Sequence, residues 1–168
     1  RAMKILVTGA TGYIGKRLIP FLLNEGHTVV CVVRDRLRAD KSYSEDENVH
    51  VIEVDFLNPE TLKNIPKDID VAYYLIHAIG SPGDFEETER HTAEVFAHAA
   101  KANNVGKIVY LGGLQNDPKL SPHLRSRAEV GNIFLSSGVP TIAFGAAVII
   151  GSGSLSFEML RYLTERLP

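Results

Sequence analysis

The sequence opens with a short apolar run, Lys4-Ile5-Leu6-Val7-Thr8, followed at once by Gly9-x-x-Gly12-x-x-Gly15 and then by an apolar repeat of helical period to Asn24. No other feature limits the fold so tightly. Glycine reaches backbone conformations and close approaches that a Cβ forbids. At a strand-to-helix junction the three positions divide the work: Gly9 permits a tight exit from the strand, Gly12 leaves the backbone open to approach, and Gly15 lets the helix lie close on the sheet. Helix N–H groups near Tyr13 and Ile14 then point outward at the positive end of the helix dipole, where an anion such as a pyrophosphate is favoured. Thr11 belongs to the same loop. A second apolar run, Thr28–Val33, follows at the spacing of a βαβ unit, and in that context the glycine series reads as a dinucleotide loop.

Along the rest of the chain, short Val- and Ile-rich runs alternate with longer segments of helical period, the pattern of an α/β fold with a parallel sheet buried on both faces. Strands are expected at Lys4–Thr8, Thr28–Val33, Val49–Val54, Ile69–Ile76, Lys107–Leu111 and Thr141–Phe144. Helices are expected at Gly12–Asn24, Pro59–Ile65, Asp84–Asn103, Ser121–Ser137 and Phe157–Leu167. Asn58-Pro59 and Ser121-Pro122 each set a capping side chain before a proline at the first helical position, while Gly26 and Gly138 follow final apolar turns and suit left-handed stops. Right-handed crossovers then give a doubly wound, three-layer αβα sheet of strand order 3-2-1-4-5-6, with a ligand crevice beyond the carboxyl ends of the strands. That crevice gathers Gly9–Gly15, Arg34, Asp55, His77–Gly80, Gly112–Gln115 and Ala146–Ser154. The polar segment Arg36–Asn48 lacks period and reads as a surface loop.

Size and charge exclude several classes of function. A chain of 168 residues can bury roughly 70% of its unfolded surface in one core. Its 18 basic and 20 acidic residues are interspersed, so neither nucleic-acid binding nor an acidic tail is expected. The one cysteine, Cys31, lies inside "TVVCVV" and reads as a buried strand thiol in a reduced compartment. No apolar run approaches the ~20 residues of a membrane span and no leader opens the chain, so a cytoplasmic protein without membrane contact is expected. Met3 directly precedes the first strand, so Arg1 and Ala2 read as expression remnants and the domain as residues 3–168. His50, His91 and His98 are scattered without metal-ligand spacing, and no metal is expected.

The second strand bears on the choice of coenzyme. An acidic residue at its end grips the ribose diol of NAD, whereas an arginine accommodates the 2′-phosphate of NADP. The run ends in Arg34, whose planar fork pairs with phosphate and stacks on adenine, with Arg36 or Arg38 as further charge. NADP(H) is therefore favoured, and neighbouring Asp35 leaves NAD(H) possible. In "VDFLNPETL", Asp55 either accepts from the adenine amino group, with Phe56 bordering the ring, or caps a turn; the residues alone leave both open.

"VTGATGYIG", "VVRD", "VDFLNPETL", "DVAYYLIHAIG", "IVYLGGL" and "AAVIIGSGSLSFEMLRYL" together resemble the atypical extended short-chain dehydrogenase/reductases. The likeness is to their NAD(P)H-binding, nucleoside-diphosphate-sugar epimerase-like or NmrA-like members. It implies a Rossmann domain with nucleotide across Gly9–Gly15, Arg34, Asp55–Phe56 and Leu75, Ile76 and His77. It also implies a smaller C-terminal substrate part, which is expected to be missing from residues 3–168.

Reductase chemistry in the wider superfamily rests on Tyr-x-x-x-Lys, the tyrosine exchanging a proton with substrate oxygen and the lysine lowering its pKa. Tyr13, Tyr43, Tyr73, Tyr74, Tyr110 and Tyr162 are followed four residues on by Arg17, Glu47, His77, Ala78, Leu114 and Arg166. None has the lysine. At the corresponding place, "SPHLRSRAEVG", His123 and Arg127 share the spacing of four and hence a helix face, as a candidate proton donor and ribose holder; the alternative is a solvated helix start. His77 is a candidate polar contact or simply a turn histidine. "GSGSLSF" offers N–H groups to an anion or is an exit loop with an N-cap. Met159, Leu160, Leu163 and Leu167 form an apolar stripe that requires a partner surface.

The resulting expectation is the nucleotide-binding part of a short-chain dehydrogenase/reductase-type oxidoreductase or sugar-nucleotide-epimerase-like protein, transferring hydride to a small carbonyl or sugar-type substrate. The alternative is a non-catalytic NADP(H) sensor of NmrA-like type.

Overall fold

The computed structural model describes residues 2–38, 45–76, 85–111 and 122–144. In chain order they form β1 (Lys4–Thr8), α1 (Tyr13–Asn24), β2 (Thr28–Val33), a 3-10 turn (Arg36–Arg38), β3 (Val49–Glu53), a 3-10 helix (Pro59–Asn64), β4 (Val71–Tyr74), α2 (Phe85–Ala102), β5 (Lys107–Leu111), α3 (Pro122–Leu135) and β6 (Thr141–Phe144). The six strands make one sheet in the order β3-β2-β1-β4-β5-β6, every pairing parallel. This is the Rossmann-type order expected from the alternation of runs. Because all strands run one way, their carboxyl ends share one edge of the sheet.

Side chains alternate across the strands, and the alternation divides the core in two. Ile5 and Val7 of β1, with Val71 and Tyr73 of β4, face the side covered by α1 through Leu18, Ile19 and Leu22. Leu6, Ala72, Tyr74, Ile108 and Tyr110 face the side of α2 and α3. There Phe96 of α2 and Phe134 of α3 meet Tyr74 at ring-centroid distances of 4.8 Å each. Tyr110 meets Phe134 edge-on at 5.3 Å. Such pairs add ~0.5–1.5 kcal/mol each beyond their area burial, so these rings fix both helices to the centre of the sheet. By comparison the exposed Arg90–Glu129 ion pair between α2 and α3 is a minor tie.

The helix ends follow the local rules, with one substitution. At the end of α1, Gly26 takes φ +89°, its N–H donates to the Leu23 carbonyl and the His27 N–H donates to the Leu22 carbonyl. That double bond pattern is the Schellman stop. α2 ends the same way, Asn104 N–H to Lys101 and Val105 N–H to Ala100, but with Asn104 at φ 56° in the glycine position. The segment after Asn58 forms a 3-10 helix rather than the expected α-helix; six residues are too few to stabilise α-helical nucleation. Its start is as read, with the Asn58 side chain accepting from Glu60 N–H and Pro59 first in the helix. The start of the segment expected to be irregular, Arg36–Asn48, is also ordered, as the 3-10 turn. The expected final helix Phe157–Leu167, Gly112–Gln115, Ala146–Ser154 and His77–Gly80 lie outside the described residues.

Candidate functional site

At the carboxyl edge of β1 the chain turns through Gly9 at φ +96°, and Gly12 N–H donates to the Gly9 carbonyl at 3.1 Å. A Cβ on Gly9 would stand 2.8 Å from the Leu75 carbonyl carbon, and one on Gly15 would stand 2.6 Å from the Gly9 oxygen. Both are closer than real Cβ atoms come, so the fold itself demands glycine there. Gly12 differs. Its φ of −78° and ψ of 175° suit any residue, and among the described residues a Cβ there would meet only the Gly9 oxygen at 3.4 Å, so packing among them does not account for its being glycine.

Gly12 is also the N-cap of α1. It has no side chain to cap the helix, and the first turn has no acidic residue. Lys16 N–H is the first to find its helical acceptor, the Gly12 carbonyl, which leaves the N–H groups of Tyr13, Ile14 and Gly15 without intrahelical partners. An exposed helix start with open donors and no anionic side chain fits a diphosphate group. Thr11 beside it is exposed, Ile14 is half-buried against the α1-side core, and Leu75 is buried with its N–H donating to the Thr8 carbonyl at 2.8 Å. Ile76 is half-buried.

One strand away from β1, Arg34 stands exposed just past β2. Among the described residues its side chain makes no hydrogen bond or ion pair. Its charged neighbours are engaged. Asp35 Oδ1 accepts from Leu37 N–H at 3.0 Å, Arg36 N–H donates to Glu53 Oε1 at 2.9 Å, and the Arg36 guanidinium donates to the Val51 carbonyl. So Arg36 braces the turn against β3. The side chain of Arg38 lies outside the described residues.

Past β3, Asp55 caps a turn: Oδ1 accepts from Leu57 N–H at 3.0 Å, while the Asp55 N–H donates to Thr61 Oγ1 at 2.9 Å. Of the two roles left open by the sequence, this is the one visible in the fold. Phe56 points inward. It is 5% exposed, its ring edge-on to Phe96 at 5.7 Å, so the ring expected to border an adenine belongs to the core.

On α3, His123 sits in the first turn and Arg127 one turn later; the His123 side chain lies outside the described residues, as does His77. Arg127 is half-buried and its carbonyl accepts from the Tyr110 hydroxyl at 3.1 Å. Burial, aided by Glu89, holds the Tyr110 phenol well above its ordinary range, and burial pushes the Cys31 thiol up to about 12. Neither is a nucleophile near neutrality. Sequence reading did not anticipate two buried hydroxyls without partners among the described residues, Thr8 Oγ1 and Tyr73 Oη, nor the bond from the Ser126 hydroxyl to the Glu89 carboxylate that ties α3 to α2. No sequence signal marks them, because each depends on which residues meet across the fold. Among the described residues, no group of three His, Cys, Asp or Glu is placed to hold a metal, and no helix is long and apolar enough to cross a membrane.

Residues 9–135 match the NAD(P)H-binding family. The chain belongs to that family. Photosystem II assembly factor Ycf39 of Synechocystis sp. is 32% identical over 68 residues, 40% of this chain and 20% of that protein. The 2-alkyl-3-oxoalkanoate reductase of Shewanella oneidensis is 32% identical over 110 residues, 62% of this chain and 27% of that protein. Among solved structures, Bordetella bronchiseptica WbmH in complex with NAD+ superposes with a TM-score of 0.70 at 20% identity, covering 86% of this chain and 56% of that one. The Citrobacter sp. triphenylmethane reductase complexed with NADP(H) gives 0.68 at 23%, covering 83% and 48%. At these identities the structural likeness speaks to the fold. The chain spans between 20% and 43% of the length of the curated relatives it matches.

Proposed function

We propose that this NAD(P)H-binding domain takes NADP(H) in preference to NAD(H), with the diphosphate against Gly9, Thr11 and Gly12 and the first N–H groups of α1, and the 2′-phosphate against Arg34. The observation that carries dinucleotide binding is Gly12, a glycine that packing among the described residues does not require and that a ligand approaching the backbone does. Arg34, exposed and unengaged among the described residues, supports the phosphorylated coenzyme; Asp35, engaged at Leu37 N–H, leaves the diol of NAD with a weaker claim. The main chain around Asp55 and Phe56, with Leu75 and Ile76, is the proposed border of the adenosine and nicotinamide sides, and His77 is a further candidate contact.

Titrating NADPH and NADH by the change in dihydronicotinamide fluorescence tests this directly. Tighter NADPH binding is expected, falling about tenfold or more in Arg34→Ala, since a charge-assisted phosphate pair is worth ~1.5–3 kcal/mol. Equal affinities in the wild-type chain would refute the NADP(H) reading.

A bound nicotinamide supplies hydride transfer, here to a small carbonyl or sugar-type substrate within a larger reductase or epimerase-like protein, with His123 donating the proton and Arg127 holding the ribose. His123→Phe is expected to abolish NADPH oxidation across a carbonyl panel; unchanged turnover removes His123 from the mechanism. A second reading, a non-catalytic NADP(H) sensor of NmrA-like type, is favoured by the absence of Lys four residues after any of the six tyrosines. It expects a strong preference for one redox form and no turnover.

A further inference from the structure

We infer that Arg36 is a positioning residue for coenzyme discrimination: by bracing the 3-10 turn against β3 it keeps the Asp35 carboxylate on Leu37 N–H and away from the ribose, so that Arg34 alone meets the 2′ position. This rests on the NADP(H) reading above and assigns its selectivity to a lock rather than to one cation.

Four charged side chains crowd the carboxyl end of β2 and β3: Arg34, Asp35, Arg36 and Glu53. An aspartate one residue from the specificity position would ordinarily compete, accepting from a ribose diol or repelling a 2′-phosphate. Three bonds remove it from that competition. Asp35 Oδ1 accepts from Leu37 N–H at 3.0 Å. The turn holding Leu37 is fixed to β3 because Arg36 N–H donates to Glu53 Oε1 at 2.9 Å and because the Arg36 guanidinium donates to the Val51 carbonyl. Val51 and Glu53 lie two apart on β3, and that strand is paired to β2 from Val29↔Val49 to Val33↔Glu53. The brace therefore bears on a rigid support. Leu37 is 94% exposed, so no burial of its side chain holds the turn in place; the polar brace does. The bond to the Val51 carbonyl occupies the Arg36 guanidinium, which is why a second arginine two residues from Arg34 does not double the phosphate site.

The test is the ratio of dissociation constants for NADH and NADPH in four chains: wild type, Arg36→Ala, Asp35→Asn and the double variant. Both substituted positions are exposed, and circular dichroism checks the fold of each variant. Releasing the turn in Arg36→Ala is expected to lower the NADH-to-NADPH ratio at least fivefold, with much of the change a gain in NADH affinity, which a merely weakened fold would not produce. In the Asp35→Asn background the Arg36→Ala change is expected to leave the ratio within twofold, because the group it releases no longer carries charge. Arg36→Lys, which keeps a donor for Val51, should recover most of the wild-type ratio. An unchanged ratio in Arg36→Ala, or an equal shift in both backgrounds, overturns the lock while leaving the NADP(H) reading standing. A wild-type ratio near one instead overturns that reading, and with it the premise of this inference.

Discussion

Tyr73 and Tyr110 lie on strands flanking the same ladder, both buried to 1% or less, and differ in what their hydroxyls do. Tyr110 donates to the Arg127 carbonyl, whereas Tyr73 Oη has no partner among the described residues. A buried hydroxyl without a bond carries its full desolvation penalty, and removing it relieves that penalty. Tyr73→Phe is therefore expected to raise stability by about 1 kcal/mol and Tyr110→Phe to lower it by about as much, so their urea midpoints should move in opposite directions. The glycines separate in the same manner. Gly15→Ala should destabilise by about 2 kcal/mol or more through its clash with the Gly9 carbonyl, while Gly12→Ala should hold wild-type stability within about 0.5 kcal/mol and lose nucleotide affinity. If both lose stability equally, Gly12 is a packing residue. At this scale the sequence was legible wherever the backbone alone decides, as at Gly9, Gly26 and Asn58. It was not at Asp35, Asp55 and Phe56, whose roles depend on Leu37, Thr61 and Phe96 reaching them through the fold.

Element ends show where small terms govern. His27 closes the stop of α1 through its N–H, and its Nδ1 accepts from the buried Met3 N–H at 3.0 Å. Burial lowers its pKa below 6.5, the N-terminal charge adding to the effect and Glu25 opposing it. With the folded value below the unfolded one, the unfolded chain takes up its proton first on acidification. The contribution is complete above about pH 6.5 and is lost as pH falls through the window beneath it. His27→Gln, which does not titrate, should flatten that part of the profile when urea midpoints are compared from pH 8 to 5; a parallel pair of curves would exclude the mechanism. At the end of α2, Asn104 tolerates its left-handed conformation because its short polar side chain costs less there than a Cβ with an apolar tail. Asn104→Ala should cost about 1 kcal/mol and Asn104→Gly should change thermal stability by no more than about 0.5 kcal/mol. Strand and helix positions were readable from period and caps; that the Pro59 helix is 3-10 was not, since period does not separate the two over so few residues.

For the whole molecule, ligand and fold are linked. If NADPH binds only the folded chain, then at a hundred times its dissociation constant it should add about 2.7 kcal/mol to stability, and the melting temperature should rise more with NADPH than with equimolar NADH. The aromatic group of Tyr74, Phe96, Tyr110 and Phe134 joins the sheet to both α2 and α3, so Phe134→Ala should cost ~3–5 kcal/mol, a large part of a typical domain's 5–15 kcal/mol. The strand order was legible because crossovers have one hand and a glycine loop fixes β1 at the centre. That central place has a temporal consequence. Lys4 N–H donates to the Asp70 carboxylate across 66 residues, and Ile5 pairs with Val71, so during synthesis β1 emerges first and waits, one edge bare, until β4 has left the ribosome. The βαβ half that reads the coenzyme thus stays open to intermolecular pairing in the nascent chain, and translation speed across residues 34–70 sets how long that exposure lasts.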